Sequence, residues 1–170
     1  MQNIEVKVSI NNLRPILEKL KKSNAKYKGE IIQIDIYYSC KAGRLKIRET
    51  ENKSYQLVFY QRPDLSEQKI SNYEVIDIAK SQVVNLRKVL KMIFGEKTIV
   101  EKRRVLWIYK NTRIHLDKVK NLGNFLELET LVKGNFKKAR KEYNEISTIL
   151  ELKKYKKYKK SYSDMLLKND

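Results

Sequence analysis

Between Asn3 and Ile10 the chain alternates without a break. Ile4, Val6, Val8 and Ile10 share one face, and Asn3, Glu5, Lys7 and Ser9 share the other. That is the period-2 pattern of a half-buried strand. Asn11 or Asn12 then offers a cap to a helix that starts near Pro15 and ends before Gly29, with Leu13, Ile16, Leu17 and Leu20 as its apolar stripe. Further strands are expected over 31–38, 44–49, 55–62 and 69–76, with a turn at Lys41-Ala42-Gly43 and a stop at Pro63. The period becomes helical over about 78–94, where Val83, Leu86, Val89, Leu90 and Ile93 recur and Gly95 suits the C′ position. Strands resume over 98–109, 112–119 and 124–132. A last helix covers about 135–152, with Ala139, Tyr143, Ile146 and Leu150 inward. Residues 161–167 form a short segment to which no element is assigned. The order lacks the alternating rhythm of a parallel sheet. It favours an α+β fold with one antiparallel sheet, curled or closed. No linker or repeat interrupts it, so 1–170 reads as one domain.

Composition adds a strong bias of charge. Of 170 residues, 41% are hydrophobic, enough for a core. The chain carries 38 Lys and Arg against 20 Asp and Glu, a formal net charge of +18. The stretch 133–160 contributes 11 basic and 3 acidic residues, so the remaining body is basic as well. The Lys/Tyr-rich segment, about 153–170, has the look of a footprint for a polyanion. No helix-turn-helix, zinc-finger or RNA-binding aromatic pattern accompanies it, so a nucleic-acid partner is not expected. Tyr155 and Tyr158 are expected in a fraying, exposed helix end. One cysteine, Cys40, excludes an internal disulfide framework and suits a reducing compartment. No secretory leader follows Met1, and no apolar run approaches the roughly 20 residues of a membrane span. A cytoplasmic protein without a membrane partner is expected; a homodimer stays open.

The polar strand faces are charged with definite types. Glu5 and Lys7 share a face, as do Lys46 and Arg48 with Arg44, Lys102 and Arg104, Arg113, His115 and Asp117, and Glu127 and Glu129; Lys69 opens its own strand. In a curled sheet these faces could converge on one lumen. Unpaired buried charge is very costly, so such a lumen needs counter-charge. A bound polyphosphate would supply it, with Arg suited to bidentate phosphate contacts and Lys acting as a point charge. Glu127 and Glu129, with Glu5 and Asp117, would make an oxygen-only site suited to Mg²⁺ or Mn²⁺. Cations beside a metal are the equipment of phosphoryl transfer. A salt-bridged solvent face is the plainer alternative.

Several segments, in order, resemble the CYTH domain, the triphosphate tunnel metalloenzymes, and within it the class IV adenylyl cyclase-like branch. They include Asn3-Ile4-Glu5-Val6-Lys7, Gln33-Ile34-Asp35-Ile36-Tyr37-Tyr38 and Gly43-Arg44-Leu45-Lys46-Ile47-Arg48. Others are Lys69-Ile70-Ser71-Asn72-Tyr73, Val100-Glu101-Lys102-Arg103-Arg104, Thr112-Arg113-Ile114-His115-Leu116-Asp117 and Phe125-Leu126-Glu127-Leu128-Glu129. The resemblance implies a closed eight-stranded antiparallel β-barrel, a triphosphate tunnel with flanking helices. It implies that Lys7, Lys46, Arg48, Lys69, Lys102, Arg104 and Arg113 hold phosphates and that Glu5, Asp117, Glu127 and Glu129 hold the metal. Where the family has E-x-E-x-K, this chain has Asn3, a neutral ligand, so one metal or two is open.

The implied activity is cyclisation of ATP to cyclic AMP and pyrophosphate. Hydrolysis of thiamine triphosphate, inorganic tripolyphosphate or a nucleoside triphosphate is the alternative, and a non-catalytic triphosphate-binding module the second. Lys102 and Arg113 are the expected catalytic cations. Tyr38, or Tyr37 beside it, would assist proton transfer if a neighbouring Lys lowers its pKa. His115 is expected as a hydrogen-bonding lumen residue, with a general-base role as the alternative. Trp107 should face outward into a helix–sheet layer.

Overall fold

A computed structural model describes residues 2–51, 53–61 and 69–167, with backbone alone at 2 and 69–72. The elements run β1 (Gln2–Ser9), α1 (Arg14–Lys22), β2 (Lys26–Tyr38), β3 (Arg44–Thr50), β4 (Ser54–Gln61), β5 (Lys69–Ile78) and α2 (Lys80–Phe94). They continue with β6 (Glu96–Tyr109), β7 (Thr112–Val119), β8 (Gly123–Leu131), α3 (Phe136–Ile149) and the short α4 (Tyr162–Leu166). Local signals account for the boundaries. Asn12 Oδ1 accepts the Arg14 N–H at 2.9 Å, and Asn135 Oδ1 accepts the Lys138 N–H at 3.0 Å. Gly95 ends α2 at φ 70°. At Gly43 a Cβ would come within 2.7 Å of the Tyr60 carbonyl oxygen, so the β2–β3 turn admits only glycine without a shift.

The strands form a ring in the order β1-β5-β4-β3-β2-β6-β7-β8, every neighbour antiparallel. Closure falls to the first strand. β1 pairs with β8 from Asn3 to Ser9, but with β5 only from Gln2 to Glu5, so the ring is closed at a thin seam. Alternation sends the charged positions inward and the apolar ones outward under helices. Ile4, Val6, Val8, Trp107, Ile114, Leu126 and Leu128 pack with Ile16 and Leu20 of α1 and Ala139, Tyr143 and Ile146 of α3. Trp107 thus lies in the helix–sheet layer, as expected. A second cluster sets Ile36, Tyr38, Leu45 and Ile47 against Val83 and Leu90 of α2. Among the described residues no helix is long and apolar enough to cross a membrane.

Two expectations are corrected. Val89 and Ile93 are 47% and 65% exposed, because α2 touches the sheet along the narrower seam of Val83, Leu86 and Leu90. The Lys/Tyr segment is not a fraying helix end. Beyond Glu5 it takes the edge of β1: the Ser9 N–H donates to the Lys156 carbonyl at 3.2 Å and the Tyr158 N–H to the Lys7 carbonyl at 2.9 Å. Tyr155 packs on the first cluster, and Tyr158 meets Phe125 edge-on at 5.7 Å. The chain then turns into α4, capped by Ser161 and Asp164, and drops Tyr162 into one end of the barrel beside Tyr37, Val100, Val119 and Phe125. Truncation after Leu152 is therefore expected to cost about 3 kcal/mol or more, the scale of one lost buried aromatic. Urea unfolding measures it; an unchanged midpoint would show that the segment adds nothing to the closure.

Candidate functional site

Eight inward faces enclose a cavity of about 630 Å³. Its charges fall into two groups on adjoining arcs of the ring. The first is built on β2, β3 and β6. Asp35, 1% exposed, receives Lys102 Nζ at 2.6 Å, Lys46 Nζ at 2.9 Å, and Arg48 through Nε at 2.8 Å and Nη2 at 3.1 Å. Register makes this meeting inevitable: Asp35 pairs with Arg48 across β2–β3, and Gln33 with Lys102 across β2–β6. Burial opposes ionisation of Asp35, but Arg48, Lys102 and Lys46 outweigh it and hold the carboxyl well below its usual range. Burial, with Arg48 beside it, lowers the Lys46 ammonium well below its ordinary value; burial also lowers Lys102.

The second group lies on β1, β6, β7 and β8. Arg104 binds Asp117 bidentately at 2.7 and 2.6 Å and reaches Glu127 at 2.8 Å. Lys7 lies 3.1 Å from Glu127 and 3.7 Å over the Tyr162 ring. Arg113, half-exposed, lies 3.3 Å from Glu129. Burial opposes the ionised form of Glu127, yet Lys7 and Arg104 hold it charged and far below its usual pKa. Burial, with Arg104 nearby, pushes His115 down to about 4, so its imidazole is neutral at pH 7. His115, Glu127 and Glu129 each place a ligand atom within 4.8 Å of the others, a set able to hold a cation. Glu5 bounds the same cavity and accepts the hydroxyl of Tyr73.

The expected residues sort as follows. Lys7, Lys46, Arg48, Lys102, Arg104, Arg113, Glu5, Glu127 and Glu129 all bound the cavity. The side chain of Lys69 lies outside what is described, as does Pro63, the expected stop of the fourth strand. Asp117 stands behind the wall, both oxygens engaged by Arg104 and one also by the Tyr162 hydroxyl at 2.9 Å. Tyr38 is a correction. It points outward into the α2 cluster, and it is Tyr37 that faces the lumen, 3.3 Å from Lys46. Lys46 does not acidify that phenol: burial, Tyr60 and Asp35 raise its pKa well above 10.0. Asp35, Tyr60, Tyr73 and Tyr162 are among the lumen groups to which the sequence assigned no role. An Asp mid-strand, in phase with Gln33 and Tyr37, was a usable signal for the first. Nothing periodic announces Tyr162.

A closed antiparallel barrel whose lumen holds cations beside a carboxylate–imidazole cluster is the architecture of a tunnel-type protein. The CYTH domain profile matches residues 1–162, and the chain belongs to that family. Its members are adenylyl cyclase-like proteins or triphosphatases, metal-dependent enzymes acting on triphosphates. A provisionally named adenylate cyclase of Methanocaldococcus jannaschii is 29% identical over 97% of this chain and 98% of its own. The fold is shared with PH1012 of Pyrococcus horikoshii, at TM-score 0.80, 22% identity and 95% and 98% coverage of the two chains. It is shared too with an adenylyl cyclase-like protein of Hippeastrum described as having a dominant triphosphatase activity, at TM-score 0.64, 14% identity and 88% coverage of each.

Asp35→Ala is expected to destabilise the protein by about 3–5 kcal/mol at pH 7, because it strands the buried Lys46 and Lys102 and the partly buried Arg48. The pH dependence has a definite sign. The folded carboxyl titrates below its unfolded value of 3.8, so its contribution is complete above about pH 4 and is lost as pH falls further. Acid unfolding of the variant should be correspondingly shallower; urea titrations from pH 7 to 3 read both effects.

Proposed function

We propose that the protein cleaves a nucleoside triphosphate in this tunnel, with cyclisation of ATP as the first reading. One observation carries the proposal. The Lys46–Arg48–Lys102 clamp and the His115–Glu127–Glu129 cluster adjoin across a single cavity. A triphosphate laid along the clamp would present one phosphorus to a divalent ion held by the cluster. The ion would polarise the attacked phosphoryl group, and the cations would receive the charge that builds on the departing oxygens. In cyclisation the ribose 3′-hydroxyl gives up its proton to solvent water as its oxygen bonds to the α-phosphorus, the bridge to the β-phosphate breaks, and pyrophosphate leaves with the electron pair. Ile31, Val58, Val75 and Leu106, with the Tyr60–Tyr73 stack at 5.3 Å, give the cavity an uncharged portion fit for a base and ribose.

Hydrolysis is the second reading. The lumen hydroxyl of Tyr37, close to Lys46, could orient a water for attack on a terminal phosphorus, and it stays protonated while doing so. The triphosphatase activity described for the Hippeastrum neighbour belongs to that protein and lends this reading its plausibility.

Incubation with ATP, thiamine triphosphate and tripolyphosphate, each with Mg²⁺ or Mn²⁺, separates the readings. Cyclic AMP with pyrophosphate supports the first, and free phosphate the second. Binding without turnover would leave a triphosphate-binding module. Glu129→Gln is expected to lower turnover by roughly 100-fold or more, with the unfolding midpoint largely kept; undiminished turnover would remove the metal from the mechanism.

A further inference from the structure

We propose that His115 is itself a ligand of the divalent ion, which makes the site a mixed nitrogen–oxygen one that prefers Mn²⁺ or a later first-row ion to Mg²⁺. This rests on the metal-dependent reading above and goes further, to the donor set and the ion. Four carboxylates were the expectation from sequence; Glu5, Glu127 and Glu129 bound the cavity, Asp117 does not, and His115 joins the two on β8.

The first observation is an orphaned imidazole. His115 is 5% exposed, and its Nδ1 has no hydrogen-bond partner among the described residues. The nearest carboxylate oxygen, Glu129 Oε1, stands at 3.5 Å, too far for a sound hydrogen bond. Buried nitrogens are ordinarily satisfied, and one left bare beside two carboxylates is a donor awaiting an acceptor of electron pairs. A divalent ion among His115, Glu127 and Glu129 would satisfy it.

The second observation concerns the other candidate donors. Asp117 is committed to Arg104 and Tyr162. Asn3, 2% exposed, bounds the same cavity, and its Oδ1 is likewise without a partner among the described residues. Its strand pairs with β8 so that Asn3 lies opposite Leu131, two residues from Glu129. The groups that gather most closely for a metal are thus two carboxylates and an imidazole, with the neutral amide oxygen of Asn3 in the same cavity and Glu5, opposite Glu129 on β1, already accepting the Tyr73 hydroxyl. Exchanging an anionic oxygen for imidazole favours ions that accept nitrogen; Mg²⁺ favours oxygen and retains its waters.

The existing pairs explain how such a site operates. Glu127 and Glu129 now hold Lys7, Arg104 and Arg113. Phosphate oxygens arriving with the ion would take those cations and release the carboxylates to the metal, so ion and phosphate should bind better together than apart.

The chain has a single histidine, which makes the test direct. Untagged protein is loaded with Mn²⁺, with and without methylene diphosphonate, whose P–C–P bridge neither hydrolyses nor carries nitrogen. Pulsed electron paramagnetic resonance is expected to show coupling to one imidazole ¹⁴N. That coupling should change to the ¹⁵N pattern when histidine is labelled and vanish in His115→Gln. By titration, the same variant should lose about tenfold or more of the Mn²⁺ over Mg²⁺ preference. Bound Mn²⁺ that shows only ³¹P and oxygen surroundings would overturn the ligation and leave the metal-dependent reading standing. No retained Mn²⁺ under either condition would overturn both.

Discussion

Charge buried in a barrel must be matched within the barrel. Everything else about this lumen follows from that constraint. Among the described residues, Lys7, Lys46, Arg48, Lys102 and Arg104 are withdrawn from bulk water, and each has a carboxylate within 3.1 Å. The desolvation cost of such ions is several kcal/mol apiece, recovered only with close, well-directed partners. Asp35 is that partner on one arc, and Asp117 with Glu127 on the other. Their placement is set by strand register, with Asp35 opposite Arg48 and Asp117 opposite Arg104. Register in turn is fixed by the outer faces, where a slip of one residue would send Ile36, Ile47 and Leu45 into the lumen and the ions into the helix layer.

A lumen balanced in this way would bind the proposed ligands by exchange of partners. An anion alone would meet cations already satisfied, and a metal alone would meet carboxylates already engaged. Arriving together, each releases what the other needs. The same balance shapes the chemistry of single groups. A phenol near a lysine is ordinarily easier to ionise, yet Tyr37 is harder to ionise, because burial and the neighbouring Tyr60 and Asp35 dominate. His115, beside Arg104, stays neutral and keeps a lone pair.

The strand faces were legible because alternation is a local property. Once Glu5, Lys7, Lys46, Arg48, Lys102 and Arg104 shared parity with one another, their common lumen followed from a closed sheet. Parity also contained the answer that was misread: neighbours on a strand point apart, so Asp35 in the lumen places Tyr37 there and Tyr38 outside. Asp35 carried no role because a lone Asp in a strand announces no chemistry until three cations from two other strands are seen to meet it. Asp117 looked equivalent to Glu127 and Glu129, and only the bidentate grip of Arg104 sets it apart. The apolar stripe on α2 is wider than the seam it buries, because periodicity does not tell how wide a seam the sheet offers. Least legible was the Lys/Tyr segment, whose composition speaks of solvent although its backbone joins β1 and its aromatics line one end of the barrel.

That last arrangement bears on how the molecule comes into being. β1, the first of the described strands, has partners in β5 and β8 and in residues 156–158, so neither of its edges is fully covered until nearly the whole described chain exists. Pairings between such distant stretches are slow, since loop-closure entropy is met before any contact rewards it. On a ribosome, β2, β3 and β4 can form their meander as they emerge, while Lys7 waits for Glu127 and Tyr162. The lumen therefore acquires its second set of charges only after β8 and the segment bearing Tyr162 have been made, and a nascent chain carries an incomplete tunnel until then.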